Sequence, residues 1–201
     1  MTLQNQNRLW LIFAVTLVVL VALLAPKFLN NKKTESKGYP GFGGDFTLQS
    51  VDGQVSLKEY RGKVVVLYFG YTYCPDICPT SLGMLSLALN KLKPAELDKL
   101  QAFFISVDPE RDTVQRLQEY TNSFHPKIMG ITGTPEVIAE LASRYKVLYK
   151  KVELPGSALG YAVDHSSYYY VIGRKGVLQK LILHGTEVDE MVADLRQVLA
   201  Q

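Results

Sequence analysis

The stretch Phe69-Gly70-Tyr71-Thr72-Tyr73-Cys74-Pro75-Asp76-Ile77-Cys78-Pro79-Thr80 constrains the fold more than any other, because it joins a strand to a helix and holds both cysteines of the chain. Before it, Val64-Val65-Val66-Leu67-Tyr68-Phe69 is a continuous apolar, β-branched run, the pattern of a strand buried on both faces. After it, Leu82, Leu85, Leu89 and Leu92 recur at helical spacing until Lys93-Pro94 ends the pattern. A thiol pair on such a loop can bind a soft metal ion or cycle between dithiol and disulfide. It is not needed as a staple. A chain of 201 residues buries a sufficient core without one, and a Cys74–Cys78 disulfide closes so short a loop that chain entropy values it at roughly 2 kcal/mol.

Apolar residues are unevenly placed. Leu9 to Ala25 is interrupted only by Thr16, with Arg8 before it and Pro26-Lys27 after it. At about 1.5 Å per residue it spans about 26 Å, and Phe28 and Leu29 extend it toward the roughly 30 Å hydrocarbon core of a membrane. Its end, Ala22-Leu23-Leu24-Ala25, does not follow the Ala-x-Ala arrangement of a cleaved signal. Residues 9–29 are therefore expected to form one uncleaved transmembrane anchor behind a short tail, residues 1–8. Residues 30–44, polar and rich in lysine and glycine, read as a tether. The folded domain is expected over 45–201. No Arg-rich, Ser-rich transit segment precedes the anchor, which favours a bacterial cell envelope over an organelle. The net charge of +3, from 22 basic and 19 acidic residues, is too small and dispersed for a nucleic-acid surface.

Within the domain, residues 46–57 alternate about Asp52-Gly53 as a β-hairpin does. The strand at 64–69 and the helix after the cysteines follow. Ala102 to Val107 is a second buried strand, and Asp112 is expected to cap a helix from Thr113 to Phe124. A short strand at 127–131, a helix opened by Thr134-Pro135-Glu136 and a strand at 147–152 come next. Glu153 to Tyr161, with Pro155, Gly156 and Gly160, is a loop. His165 to Ile172 and Val177 to Leu183 are expected to pair as a hairpin, and Glu187 to Leu199 closes the chain as a helix. Parallel crossovers followed by an antiparallel hairpin make an α/β domain with a thioredoxin-like arrangement, an N-terminal β-hairpin and insertions.

Each cysteine precedes a proline, which biases it toward extended backbone. Cys78 is expected as the helix N-cap, Pro79 as the first helical residue and Cys74 as a loop residue beside them. The helix dipole would then lower the pKa of both thiols. Three residues separate the cysteines; that spacing suits a chelate loop better than the tight disulfide of a Cys-x-x-Cys reductase, although it permits a disulfide. Two thiolates leave a metal site incomplete, and the histidines are His125, His165 and His184. His125, before Pro126, reads as a helix-end residue, and His184, before Gly185, has no evident partner. His165 differs. Thioredoxin-like folds place a residue, commonly a cis-proline, against the cysteine loop just before the hairpin strand, and here Asp164-His165 stands in that region with no proline between Tyr161 and Ile172. Cys74, Cys78 and His165 make a soft set that suits Cu(I), and with one more ligand Cu(II) or Zn(II). Asp164 is expected on the opposite strand face. Asp76 reads equally as a loop cap or a partner-facing charge. Asp108, Arg111 and Asp112 read as a turn and cap, and Tyr68, Tyr71, Tyr73 and Tyr168 to Tyr170 as core and rim around the site.

These residues resemble the Sco/SenC family of copper-binding, thioredoxin-like assembly factors for cytochrome c oxidase. The resemblance rests on Gly43-Gly44-Asp45-Phe46, Arg61-Gly62-Lys63, the cysteine stretch, Ser106-Val107-Asp108-Pro109-Glu110-Arg111-Asp112 and Val163-Asp164-His165-Ser166-Ser167, in that order, and spans the soluble domain. It implies one copper, Cu(I) or Cu(II), held by Cys74, Cys78 and His165 and carried to the dinuclear copper centre of cytochrome c oxidase subunit II. Other copper chaperones or thioredoxin-like reductases are implied as further partners. It also implies a domain outside the cytoplasm, anchored in the bacterial inner membrane by a single span. Lys27, Lys32, Lys33 and Lys37 follow the apolar segment while Arg8 stands nearly alone before it, so the positive-inside rule by itself gives the opposite orientation. Two function classes follow. One is a metallochaperone, more in keeping with the pattern than an enzyme; the other is a thiol-disulfide reductase whose redox-active residues are Cys74 and Cys78. A redox or copper sensor is a third.

Overall fold

Val64–Gly70 is buried along its whole length, and the other elements are arranged about it. The computed structural model describes residues 41–201 together with residues 10, 13, 16, 38 and 39. In chain order the elements are β1 (Thr47–Ser50), β2 (Gly53–Ser56), a 3-10 turn at Leu57–Tyr60, β3 (Val64–Gly70), α1 (Ile77–Asn90), α2 (Pro94–Leu97) and β4 (Leu100–Ser106). Then come α3 (Val114–Asn122), β5 (Ile128–Ile131), α4 (Pro135–Tyr145), β6 (Tyr149–Glu153), β7 (Tyr161–His165), β8 (Tyr168–Ile172), β9 (Leu178–Leu183) and α5 (Val188–Leu199).

A five-stranded sheet has the order β5-β4-β3-β8-β9. β3, β4 and β5 run parallel, with Val66 opposite Ala102 and Ala102 opposite Ile128. β8 returns antiparallel on the other side of β3, and β9 pairs with it. Burial on both faces explains why β3 and the Ala102–Ile105 part of β4 read as apolar runs, since no face is left for polar alternation. α1 packs against α5, while α3 packs against β5. Two hairpins stand outside this sheet: β1 with β2, and β6 with β7. The result is a mixed α/β, thioredoxin-like body with the expected N-terminal hairpin.

The structure changes three local expectations. Cys78 is not the cap of α1, which begins at Ile77 with Asp76 in the N-cap position. Proline in the first turn allows this, because its missing N–H is one of the donors that no helix satisfies internally. Asp112 is not the cap of α3 either; Thr113 takes that place, its hydroxyl accepting from the Arg116 amide. The run from His165 to Ile172 is divided. His165 ends β7, opposite Tyr149 of β6, and β8 begins at Tyr168. At the break, the Ser166 amide donates to the Leu148 carbonyl at 2.9 Å and the Ser166 hydroxyl accepts from the Leu148 amide at 3.0 Å. Apolar periodicity marks an extended run but not which partner each part of it pairs with.

The expected tail, most of the anchor and most of the tether lie outside the described residues. Trp10, Phe13 and Thr16 are helical, and among the described residues no helix is long and apolar enough to cross a membrane. The end of the segment read as a tether is hydrogen-bonded to the body: the Tyr39 amide donates to the Leu178 carbonyl and the Gly43 amide to the Arg144 carbonyl, and the Tyr145 hydroxyl donates to the Gly44 carbonyl.

Candidate metal centre

β3 delivers the chain to the site at its C-terminal end, and Gly70 lets it pass closely. A Cβ on Gly70 would stand 2.6 Å from Cys78 Sγ and 2.8 Å from the Phe104 ring, distances that only a residue without a side chain tolerates. From there the loop Tyr71–Asp76 carries Cys74, and the first turn of α1 carries Cys78. Both are free thiols. Cys78 is wholly buried and Cys74 nearly so.

His165 arrives from the end of β7. Its Nε2 lies 3.2 Å from Cys78 Sγ, and Cys74 Sγ, Cys78 Sγ and a ring nitrogen of His165 all lie within 4.8 Å of one another. The three residues singled out from the sequence thus converge, and they are the only such group of Cys, His, Asp and Glu among the described residues. His165 Nδ1 is 3.1 Å from the Ser166 carbonyl oxygen; a carbonyl only accepts, so Nδ1 carries the proton and Nε2 is turned toward the sulfurs. Outer hydrogen bonds of this kind orient ligating imidazoles. The edge-on rings of Tyr68 and Tyr71, at 6.3 and 5.9 Å from the imidazole, flank it.

The two thiols do not behave alike, against the expectation that the helix terminus lowers both. Cys74 is pulled down to about 3, chiefly by a hydrogen bond from Cys78, with His165 and the Asp76 and Cys78 amides adding to it against the effect of burial. Cys78 is pushed up, first by its burial and then by Cys74. Burial thus outweighs the helix dipole at the inner sulfur.

The loop before Cys74 is held by a residue whose role the sequence left obscure. Asp112 is buried and accepts from the Thr72 amide at 2.9 Å, the Thr72 hydroxyl at 2.5 Å and the Ser106 hydroxyl at 2.6 Å. Arg116 donates to the same Thr72 hydroxyl at 2.6 Å and lies over the Tyr73 ring. Arg111 bonds Asp108 at 2.5 Å and the Tyr161 carbonyl at 2.9 Å, and its guanidinium stacks 3.6 Å from the Tyr161 ring centroid. Asp108, Arg111 and Asp112 do form the expected turn, the Arg111 and Asp112 amides both donating to the Asp108 carbonyl, but in place of a helix cap they supply struts from the cysteine loop to the start of β7. Only a short local motif stood for them in the sequence, and nothing in its spacing pointed to Thr72 or Tyr161.

The remaining candidates fall outside the group. His125 is buried, and its Nδ1 accepts from the Lys127 amide at 3.0 Å. His184 does have a partner: its Nδ1 lies 2.8 Å from Ser81 Oγ. Asp164 is exposed on β7, opposite Lys150. Asp76 is exposed and makes no side-chain cap bond.

Two sulfurs and an oriented imidazole form a soft donor set with no carboxylate in it, which suits a copper or zinc ion and not a hard cation. The Tyr68 hydroxyl is buried beside Ser81 and close to the two thiols, and its pKa is raised chiefly by that burial. A model of the SCO1/SenC family matches residues 34–200. The chain belongs to the SCO1/SenC family. A SCO1/SenC relative, protein SCO1 homolog 1, mitochondrial, of Arabidopsis thaliana, is 42% identical over 83% of this chain, and the chain spans 51% of that relative's length. The Arabidopsis thaliana ScoI structure with copper bound is 41% identical, superposes with a TM-score of 0.73, and matches 80% of this chain and 99% of its own. BsSco, described as a member of the Sco family of cytochrome c oxidase assembly proteins with a disulfide switch, is 27% identical with a TM-score of 0.63, over 83% of this chain and 96% of its own.

Proposed function

We propose that this chain is a copper metallochaperone of cytochrome c oxidase assembly, holding one Cu(I) or Cu(II) through Cys74, Cys78 and His165. The observation that carries this reading is the convergence of the two sulfurs and the imidazole within 4.8 Å, and the copper-bound Arabidopsis relative supports the choice of metal. Copper supplies no chemistry of its own here; it is cargo. The buried loop keeps both sulfurs from water, the Ser166 carbonyl holds the imidazole in its ligating tautomer, and half-buried His165 is the ligand a recipient reaches first. The acceptor is the dinuclear copper centre of cytochrome c oxidase subunit II. Stepwise exchange would begin at His165 and end at buried Cys78. In this reading residues 9–29 anchor the protein in a bacterial inner membrane, with the domain on the extracytoplasmic side.

The test is copper stoichiometry of the reduced, metal-free chain. One copper per chain is expected, with zinc displaced by it, and His165→Ala is expected to lose stable copper while its dithiol still reacts with disulfides. Full copper retention in His165→Ala would sink the ligand set.

A second reading, thiol-disulfide exchange, is favoured by the two free thiols lying within 4.8 Å of each other. Cys74, held as a thiolate, would attack a partner disulfide, and Cys78 would resolve the mixed disulfide, leaving the partner as a dithiol and this pair as a disulfide. Reduction of an oxidised subunit II fragment by metal-free protein, abolished in Cys74→Ser, separates this activity from copper transfer.

A further inference from the structure

His184 does not belong to the metal-ligand group, and the site as described makes no use of it. Yet it touches both halves of that site. Its main-chain amide donates to the Ser167 carbonyl at 3.0 Å, two residues beyond His165 and within the break between β7 and β8. Its side chain reaches the other way, to Ser81 Oγ at 2.8 Å. Ser81 is wholly buried in α1, three residues after Cys78 and so on the same face of the helix one turn later. The Tyr169 hydroxyl of β8 donates to the Ser81 carbonyl at 2.8 Å, so the same residue is gripped through its main chain as well.

The two ligands that face each other, Cys78 and His165, stand on elements far apart in sequence and in different sheet contexts. α1 follows β3, whereas His165 ends a strand of the separate β6–β7 hairpin. No ladder of backbone hydrogen bonds joins α1 to that hairpin, because a helix has none to offer sideways. Side-chain bonds therefore help to set their spacing, and an error of about 1 Å in such a spacing is enough to weaken a site.

We propose that His184 is a positioning residue for the metal centre, its imidazole bonding the Ser81 hydroxyl while its amide bonds the Ser167 carbonyl, so that the turn carrying Cys78 is locked to the turn carrying His165. This rests on the reading of Cys74, Cys78 and His165 as copper ligands for its consequence, though not for the lock itself. A half-buried histidine at the end of β9 thus acts on the site through two serines, without touching the ion.

The experiment uses the full chain in detergent micelles, as wild type, His184→Ala, His184→Asn, Ser81→Ala and the double variant His184→Ala with Ser81→Ala. In metal-free protein, amide hydrogen exchange of residues 78–82 is expected to quicken about fivefold in either alanine variant. Copper affinity is expected to fall about 10-fold to 100-fold, with the thiolate-to-Cu(II) absorption band shifted. The double variant should be no worse than either single one, and His184→Asn, which keeps an acceptor near the Nδ1 position, should recover both readouts. Wild-type exchange and wild-type copper affinity in His184→Ala would overturn the proposal. So would loss of one nitrogen from the Cu(II) resonance spectrum of that variant, which would make His184 a ligand. If the wild type bound no copper, the metallochaperone reading would fall alone, and the exchange measurement would still decide for or against the lock.

Discussion

Gly70 carries more of the site than its size suggests. Its missing side chain leaves the space that Cys78 Sγ and the Phe104 ring occupy, both of them in the buried interior, where packing is dense and neighbours yield little. Gly70→Ala is expected to cost about 1–3 kcal/mol through overpacking, read as a lower urea midpoint, and to weaken copper binding by shifting Cys78; an unchanged midpoint would show that α1 can retreat freely. His125 sets a pH dependence of a different kind. Burial lowers its pKa from 6.5, with Lys127 adding to the shift, so the folded protein binds fewer protons than the unfolded chain in the window below that value. Stability from His125 is complete above about pH 6.5 and declines as the pH falls toward the depressed folded value. His125→Asn keeps an acceptor for the Lys127 amide without titrating. Its stability, followed by denaturant unfolding from pH 7.5 to 5, is expected to fall less steeply than that of the wild type.

The loop from Tyr71 to Asp76 has no regular structure, yet it is restrained by side-chain bonds to Thr72. Asp112 satisfies the Thr72 amide, the Thr72 hydroxyl and the Ser106 hydroxyl at once, bridging the ends of β3 and β4 at the point where the parallel pair opens. Asp112→Ala strands these buried donors, each at a cost of about 1–3 kcal/mol. The expected outcome is a thermal midpoint lowered by several degrees, together with faster alkylation of Cys74 in the reduced protein. Slower or unchanged alkylation would mean that the loop is held by Arg116 and Tyr73 instead. The site is thus fastened at the element scale by the ends of β3 and β4, by α1 and by the close of β7, each contributing one or two residues.

At the scale of the whole molecule, the proposed ligand set, drawn from two distant stretches, would make metal binding a form of tertiary stabilisation. A metal that binds only the folded arrangement stabilises it by about 2.7 kcal/mol at a hundredfold excess over its dissociation constant. Addition of Cu(I) is therefore expected to raise the unfolding midpoint of the wild type, and to leave Cys78→Ser and His165→Ala close to their metal-free values. An equal rise in all three would place the copper elsewhere.

The sequence by itself determined the strand–loop–helix junction, because unbroken apolar β-branched residues at 64–69 and leucines at helical spacing leave little freedom at short range. It also determined the donor chemistry, since Cys74 and Cys78 are the only thiols and no proline stands near His165. Tertiary structure decided what local pattern cannot encode. His165 belongs to the close of β7 and not to the β8 strand, because pairing with β6 rather than periodicity ended that element. Asp112 became a strut and His184 a bonded neighbour of Ser81, because hydrogen-bond partners of 40 and 103 residues' separation are chosen by the packing of the sheet and helices. The inequality of the thiols followed from the same cause: packing buries Cys78 completely and sets it to hydrogen-bond Cys74, which also receives bonds from His165 and the Asp76 amide.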